Sequence, residues 1–213
     1  MSSSDGNTGF KRLDSDLLQT LRAMQNERYK IFQQQDVDKG RFDVTFEIEG
    51  KHLHAHKFTL TSISKPLDSW LSDRWTTKDE VVKIEDSSYD EFYEFLTFLY
   101  TSECKLTEEN IVKMTDMAEF YGVQCLKELC DEFLAKNEKT VETIEELFNF
   151  AQKYSLPKLE DSLKSFFWNH YRTVCKSDAF IDFKKPFIEF LLAGDISLYK
   201  KQILFEGVNI QMG

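Results

Sequence analysis

Proline and glycine are scarce in this 213-residue chain, at three and eight residues. So few breakers exclude a turn-rich all-β fold and favour long helices. No run of about 18 apolar residues occurs, which removes a membrane-spanning helix from the expectations. The opening MSSSDGNTGF has neither a basic start nor an apolar stretch, so no export signal is expected in it. Positive charge is also short. The 27 basic against 37 acidic residues leave a net charge of -10, the wrong sign for gripping a phosphate backbone or an anionic bilayer. Neither nucleic acid nor membrane is an expected partner. Cys104, Cys125, Cys130 and Cys175 show no CxxC or CxxxC spacing and read as free thiols in a reducing compartment, the cytosol or nucleus.

What the chain has in excess is phenylalanine, at 19 residues. That much aromatic surface requires a core or an interface to cover it. Residues 1–10 read as a disordered lead. Leu17, Leu21, Met24 and Ile31 then recur at helical spacing, with Asp14 as the expected N-cap. The polar stretch 33–40 reads as a linker. From Phe42 to Ile48 apolar residues alternate with Asp43, Thr45 and Glu47; Glu49-Gly50 makes a turn, and Lys51 to Lys57 returns, which is a β-hairpin. After two short helical stretches, Val81–Ile84 reads as a third strand.

Ser88 and Glu91 have capping-box spacing ahead of Phe92, Phe95, Leu96 and Leu99, so a helix starts there. Everything after is helical, and it repeats. Laying 107–134 over 140–167 pairs Thr107 with Thr140, Ile111 with Ile144, Ala118 with Ala151, Tyr121 with Tyr154, Leu126 with Leu159 and Phe133 with Phe166. Each copy reads as helix, tight corner, helix. Two copies are fewer than the three a solenoid core needs, and no ankyrin or tetratricopeptide signature is present.

Catalytic patterns are absent. There is no Gly-rich phosphate loop, Gly-x-Ser-x-Gly elbow or His-Glu-x-x-His, and the acid pairs Glu108-Glu109 and Glu145-Glu146 suit helix first turns. His52, His54 and His56 share one strand face at intervals of roughly 6.5 to 7 Å. Neighbouring pairs could chelate zinc, but no Cys or carboxylate at ligand spacing completes the set. His170, beside Trp168 and Tyr171, reads as a packed or surface imidazole. No metal, cofactor or catalytic residue is expected, and the chain is not expected to be an enzyme.

Asp43-Val44-Thr45-Phe46, Gly50-Lys51, His54-Ala55-His56-Lys57, Leu60 and Ser62, then Val82-Lys83-Ile84-Glu85-Asp86, Phe98-Leu99-Tyr100-Thr101, Ala118 and Tyr121 stand in an order that resembles the BTB (POZ) domain. The resemblance implies an α+β fold: residues 1–38 as lead, amphipathic helix and linker, 39–137 as the BTB/POZ domain with a small mixed sheet, and 138–205 as an all-helical extension similar to the BACK region. It also implies a dimeric protein–protein interaction module, pairing with itself or another BTB protein, and docking a cullin scaffold as adaptor of a ubiquitin ligase for an unidentified substrate protein. The alternative is an oligomerisation scaffold without a ligase.

At the implied dimer contact stand Ile63, Leu67, Trp70 and Leu71, with Leu17, Leu21 and Met24 of the preceding helix. At the implied cullin contact stand Leu106, Glu108, Asn110 and Met114; Leu106-Thr107-Glu108 has the hydrophobic-x-acidic form, although the register counted from Ala118 and Tyr121 falls nearer Asn110-Ile111-Val112. The family's usual separate substrate-recognition domain has no signature here, and the short stretch Leu204 to Gly213 is too small to supply one.

Overall fold

The computed structural model describes residues 6–72 and 81–193. Residues 1–5 of the expected lead, and the 194–213 stretch that contains Leu204 to Gly213, lie outside the described residues. The chain divides into two compact units, Met1–Leu126 and Lys127–Gly213.

The first unit opens with helix α1, Gly6–Gln34. This corrects two expectations: residues 6–10 are helical, and Asp14 lies within the helix instead of capping it. No proline stands before Pro66, so nothing in the early sequence breaks the helix. The expected linker also contains a short helix, α2, Val37–Gly40, capped by the Asp36 carboxylate, which accepts from the backbone of Asp38 at 3.1 Å and Lys39 at 3.2 Å.

Strands β1, Val44–Ile48, and β2, Lys51–Ala55, form the predicted antiparallel hairpin. Glu49 at φ 52° and Gly50 at φ 74° supply the two positive angles of a tight primed turn. β3, Val81–Ile84, adds parallel to β1, giving a mixed three-stranded sheet in the order β2-β1-β3. Val44, Phe46, Ile48, Leu53, Ala55, Val82 and Ile84 form its buried face.

Between β2 and β3 come α3, Lys57–Thr61, and α4, Lys65–Trp70. Ser64 joins this region to the core: its wholly buried hydroxyl accepts from Leu67 N–H and donates to the Tyr121 carbonyl at 2.5 Å. Helix α5, Tyr89–Thr101, starts at the capping box, where the Ser88 and Glu91 side chains each bond the other's backbone N–H. It carries the core's aromatic centre. Phe92 meets Phe46 edge-on at 5.0 Å, and Phe95 stacks on Tyr121 at 4.9 Å. Helix α6, Ile111–Phe120, completes this unit, and α7, Gln124–Lys136, spans the boundary to the second.

The second unit continues with α8, Ile144–Tyr154, α9, Pro157–Val174, α10, Ala179–Asp182, and α11, Lys185–Leu192. The predicted repeat is present: α6 and α8 begin at Ile111 and Ile144, and Ala118, Tyr121, Val123 and Leu126 are buried as are their counterparts Ala151, Tyr154, Leu156 and Leu159. Phe148, Phe180, Phe183, Phe187 and Phe190 cluster here, with ring centroids such as Phe148 to Phe190 at 4.6 Å.

Candidate interaction surfaces

Helix α1 touches its own unit through its last turns. Phe32 is wholly buried, stacked on Tyr100 at 4.5 Å and Tyr93 at 5.2 Å, while Tyr29 OH hydrogen-bonds Thr97 Oγ1 at 3.3 Å. Upstream, Leu17, Leu21 and Met24 are 58%, 48% and 51% exposed, forming an apolar stripe.

Ile63 and Trp70 are likewise exposed, but Leu67 and Leu71 are core residues, fully or almost fully buried. This corrects the expectation that all four face a partner. Their helical spacing is equally the spacing of an inward face, and the Ser64 cap turns α4 so that Leu67 points into the domain. Phe58, 82% exposed, was not among the predicted contacts. A signal existed: two positions from the buried Leu60 on a helix is about 200° around it, so a large apolar residue there faces outward.

On the α6 side, Met114 is wholly buried, which corrects its expected place on a contact surface. Ile111, Met114 and Ala118 fall on one helical face, and that face is the core. Asn110 is occupied locally: its amide donates to the Lys105 carbonyl and accepts from Thr107 N–H, both at 2.8 Å. Leu106 is half-buried and Glu108 exposed. The apolar groups that do reach outward are Val112, 56% exposed and within the Asn110-Ile111-Val112 register, and Phe120, 72% exposed and outside the expected contact. Beside Phe120 opens a groove of about 330 Å³, apolar along Trp70, Met117 and Tyr121 and charged along Glu85, Asp86 and Asp116 with Lys83 and Lys113. Burial, with the Asp86 charge adding to it, pushes the Tyr121 phenol up to about 12. Elsewhere, Phe148 is buried and Phe133 and Phe150 are half-buried.

The three strand histidines have separate jobs. His52 faces Glu47 at 3.9 Å, and His54 Nδ1 hydrogen-bonds Thr45 Oγ1 at 2.9 Å. His56 is part of the fold. Its Nε2 lies 2.8 Å from the Gly40 carbonyl, which can only accept, so Nε2 carries the proton and Nδ1 accepts from Tyr100 OH at 2.8 Å. Tyr100 in turn accepts the His56 backbone N–H, and burial pushes its phenol up to about 12, keeping it a donor. His170 is exposed and bonded to the Phe166 carbonyl of its own helix. Among the described residues no group of three His, Cys, Asp or Glu is arranged to hold a metal, and no helix is long and apolar enough to cross a membrane.

The family description of the BTB/POZ domain matches residues 32–138, from the anchoring end of α1 through α7. The chain belongs to the BTB/POZ family. A helical region follows the domain, as the resemblance to the BACK region implied. Human Kelch-like protein 24 is 23% identical over 168 residues, covering 78% of this chain and 28% of that protein. Kelch-like protein 40 of Xenopus laevis is 24% identical over 199 residues, covering 88% and 32%. The BTB chain thus spans less than a third of the length of these curated relatives. Among solved structures, the BTB domain of human gigaxonin is 20% identical with a TM-score of 0.42, covering 62% of this chain and 96% of that one. The BTB domain of zebrafish PATZ1 is 22% identical with a TM-score of 0.44, covering 54% and 95%.

Proposed function

We propose that this BTB chain is a non-enzymatic adaptor that self-associates through α1 and the α3–α4 region and docks a cullin scaffold of a ubiquitin ligase on the outer face of α6. The observation that carries the reading is the presence of two exposed apolar surfaces within one domain, which adjoin at Trp70 on the wall of the groove beside Phe120. Leu17, Leu21, Met24, Phe58, Ile63 and Trp70 supply the first. Val112 and Phe120, with the groove beside Phe120, supply the second. Large groups so exposed are costly to leave in water, and aromatic anchors beside pockets are what interfaces use. Leu106 and Glu108 border the second surface in sequence, and they remain part of the proposed contact; Met114 supports it from beneath. The substrate protein would be brought by the helical region or by the partner copy, itself the same chain or another BTB protein.

Size-exclusion chromatography with light scattering, on the protein alone and mixed with the N-terminal half of the BTB-specific cullin, tests both surfaces. The expected result is a dimer that becomes a two-to-two complex. A dimer indifferent to the cullin would remove the ligase role and leave an oligomerisation scaffold.

A further inference from the structure

Between residues 15 and 28 every residue of α1 except Gln25 is exposed, so among the described residues the apolar stripe lies beyond the anchored C-terminal end of the helix. Leu17 stands fifteen residues from the Phe32 anchor, roughly 22 Å along the axis at 1.5 Å per residue. A swing of about 10° at the anchor would carry Leu17 about 4 Å, several times what a packed interface absorbs. Stacked rings hold Phe32 in depth, yet ring faces tolerate rotation. The Tyr29–Thr97 bond one turn earlier ties the helix to α5; a tie to a second element would fix its direction.

Gln35 is placed to do so. It follows the last residue of α1 with φ 48°, in the left-handed region where helix ends ordinarily use Gly or Asn. A longer side chain in that conformation is a strained choice that calls for a reason. Its amide meets both backbone groups of one residue on the outer edge of β2: Nε2 donates to the His54 carbonyl at 3.0 Å, and Oε1 accepts the His54 N–H at 2.7 Å. The same Nε2 donates to the Phe32 carbonyl at 2.7 Å, closing the end of α1. One side chain therefore pairs like a neighbouring strand residue and ties the helix terminus to the sheet.

We propose that Gln35 is a positioning residue for self-association: its amide clips α1 to the β2 edge, and so aims the Leu17, Leu21 and Met24 stripe at a second copy of the chain without touching that copy. The role rests on the self-association reading above. It predicts that cutting the clip weakens pairing while the domain stays folded.

Gln35→Asn is the discriminating variant. It keeps the amide and suits the left-handed backbone, but it is one methylene too short to span to His54. Gln35→Glu keeps the length and sets a carboxylate oxygen against the His54 carbonyl. In the full chain, sedimentation equilibrium would give the dimer constant, amide hydrogen exchange the His54 N–H, and circular dichroism the melting profile. The expected result is at least tenfold weaker pairing in both variants, faster His54 exchange, and unchanged melting. Wild-type affinity with a freely exchanging His54 amide would overturn the proposal, as would loss of affinity only in step with melting. A wild-type chain that is monomeric at every concentration, with its His54 amide still protected, would instead sink the self-association reading and this role with it.

Discussion

The Asp131 carboxylate reaches from α7 to the first turn of α9, accepting Leu159 N–H at 2.8 Å and Lys158 N–H at 3.0 Å. Asp131 is 4% exposed, and the residue at the N-cap of α9, Leu156, offers no side-chain acceptor. The helix is therefore capped by its neighbour. Pro157, which has no N–H to satisfy, sits at the one first-turn position the carboxylate need not reach.

Asp131→Ala strands two donors at a buried helix start and is expected to lower the stability of the second unit by about 2 to 3 kcal/mol. Asp131→Asn retains one acceptor, and about half that loss is expected. Urea titration followed by circular dichroism would show the order; equal midpoints for wild type and the alanine variant would refute the cap.

On α6 the structure separates exposed apolar groups from buried ones. Phe120→Ala and Val112→Ala remove exposed groups, so melting is expected to stay within about 0.5 kcal/mol of wild type while cullin binding falls at least tenfold. Met114→Ala empties a wholly buried site and is expected to cost about 2 to 5 kcal/mol. Calorimetric titration against the cullin fragment, paired with thermal melts, measures both. Full affinity in the Phe120→Ala, Val112→Ala double variant would remove this face from the proposed contact.

Much of this architecture is readable in the sequence because short-range rules generate it. The hairpin follows from alternation plus Glu49-Gly50, α5 from the Ser88 and Glu91 box, and the repeated hairpins from an apolar pattern that returns at a fixed offset. The contact surfaces were less legible. Leu67 and Trp70 belong to one short helix with apolar residues at helical spacing, yet one is core and the other is exposed, because periodicity marks an apolar face without saying what covers it. Met114 failed for the same reason. The Gln35 clip was out of reach: it joins residues nineteen apart through a side chain that carries no pattern.

The same division applies to the proposed dimer face. Leu21→Arg and Met24→Glu put charge on the exposed stripe, and each is expected to yield monomer at concentrations where wild type is dimeric, with little change in melting. Leu67→Ala is expected to cost about 2 to 5 kcal/mol as a core truncation. Light scattering and melts on the three variants check this. Dimers that persist in Leu21→Arg and Met24→Glu would move the interface elsewhere.

A pH dependence follows from the outer face of the sheet. His54 lies beside His52, ring centroids 6.3 Å apart, and its imidazole is held below the usual 6.5, first by partial burial and then by the His52 charge. The unfolded chain therefore takes up this proton more readily than the folded one. Stability is full above the unfolded value near 6.5 and declines as pH falls through it toward the lower folded value. The carboxylates held low by their partners, Asp36, Glu109, Glu132 and Glu142, act in the same direction only nearer their ordinary values of 3.8 and 4.5. The window between about pH 7.5 and 5.5 thus lies above the carboxylates, and the comparison with His54→Gln assigns the difference to this side chain. Across it, the urea midpoint of wild type is expected to fall more steeply than that of His54→Gln, which keeps the backbone groups that Gln35 holds. The effect is small, since His54 is only partly buried. Parallel slopes for the two proteins would show that His54 titrates alike folded and unfolded.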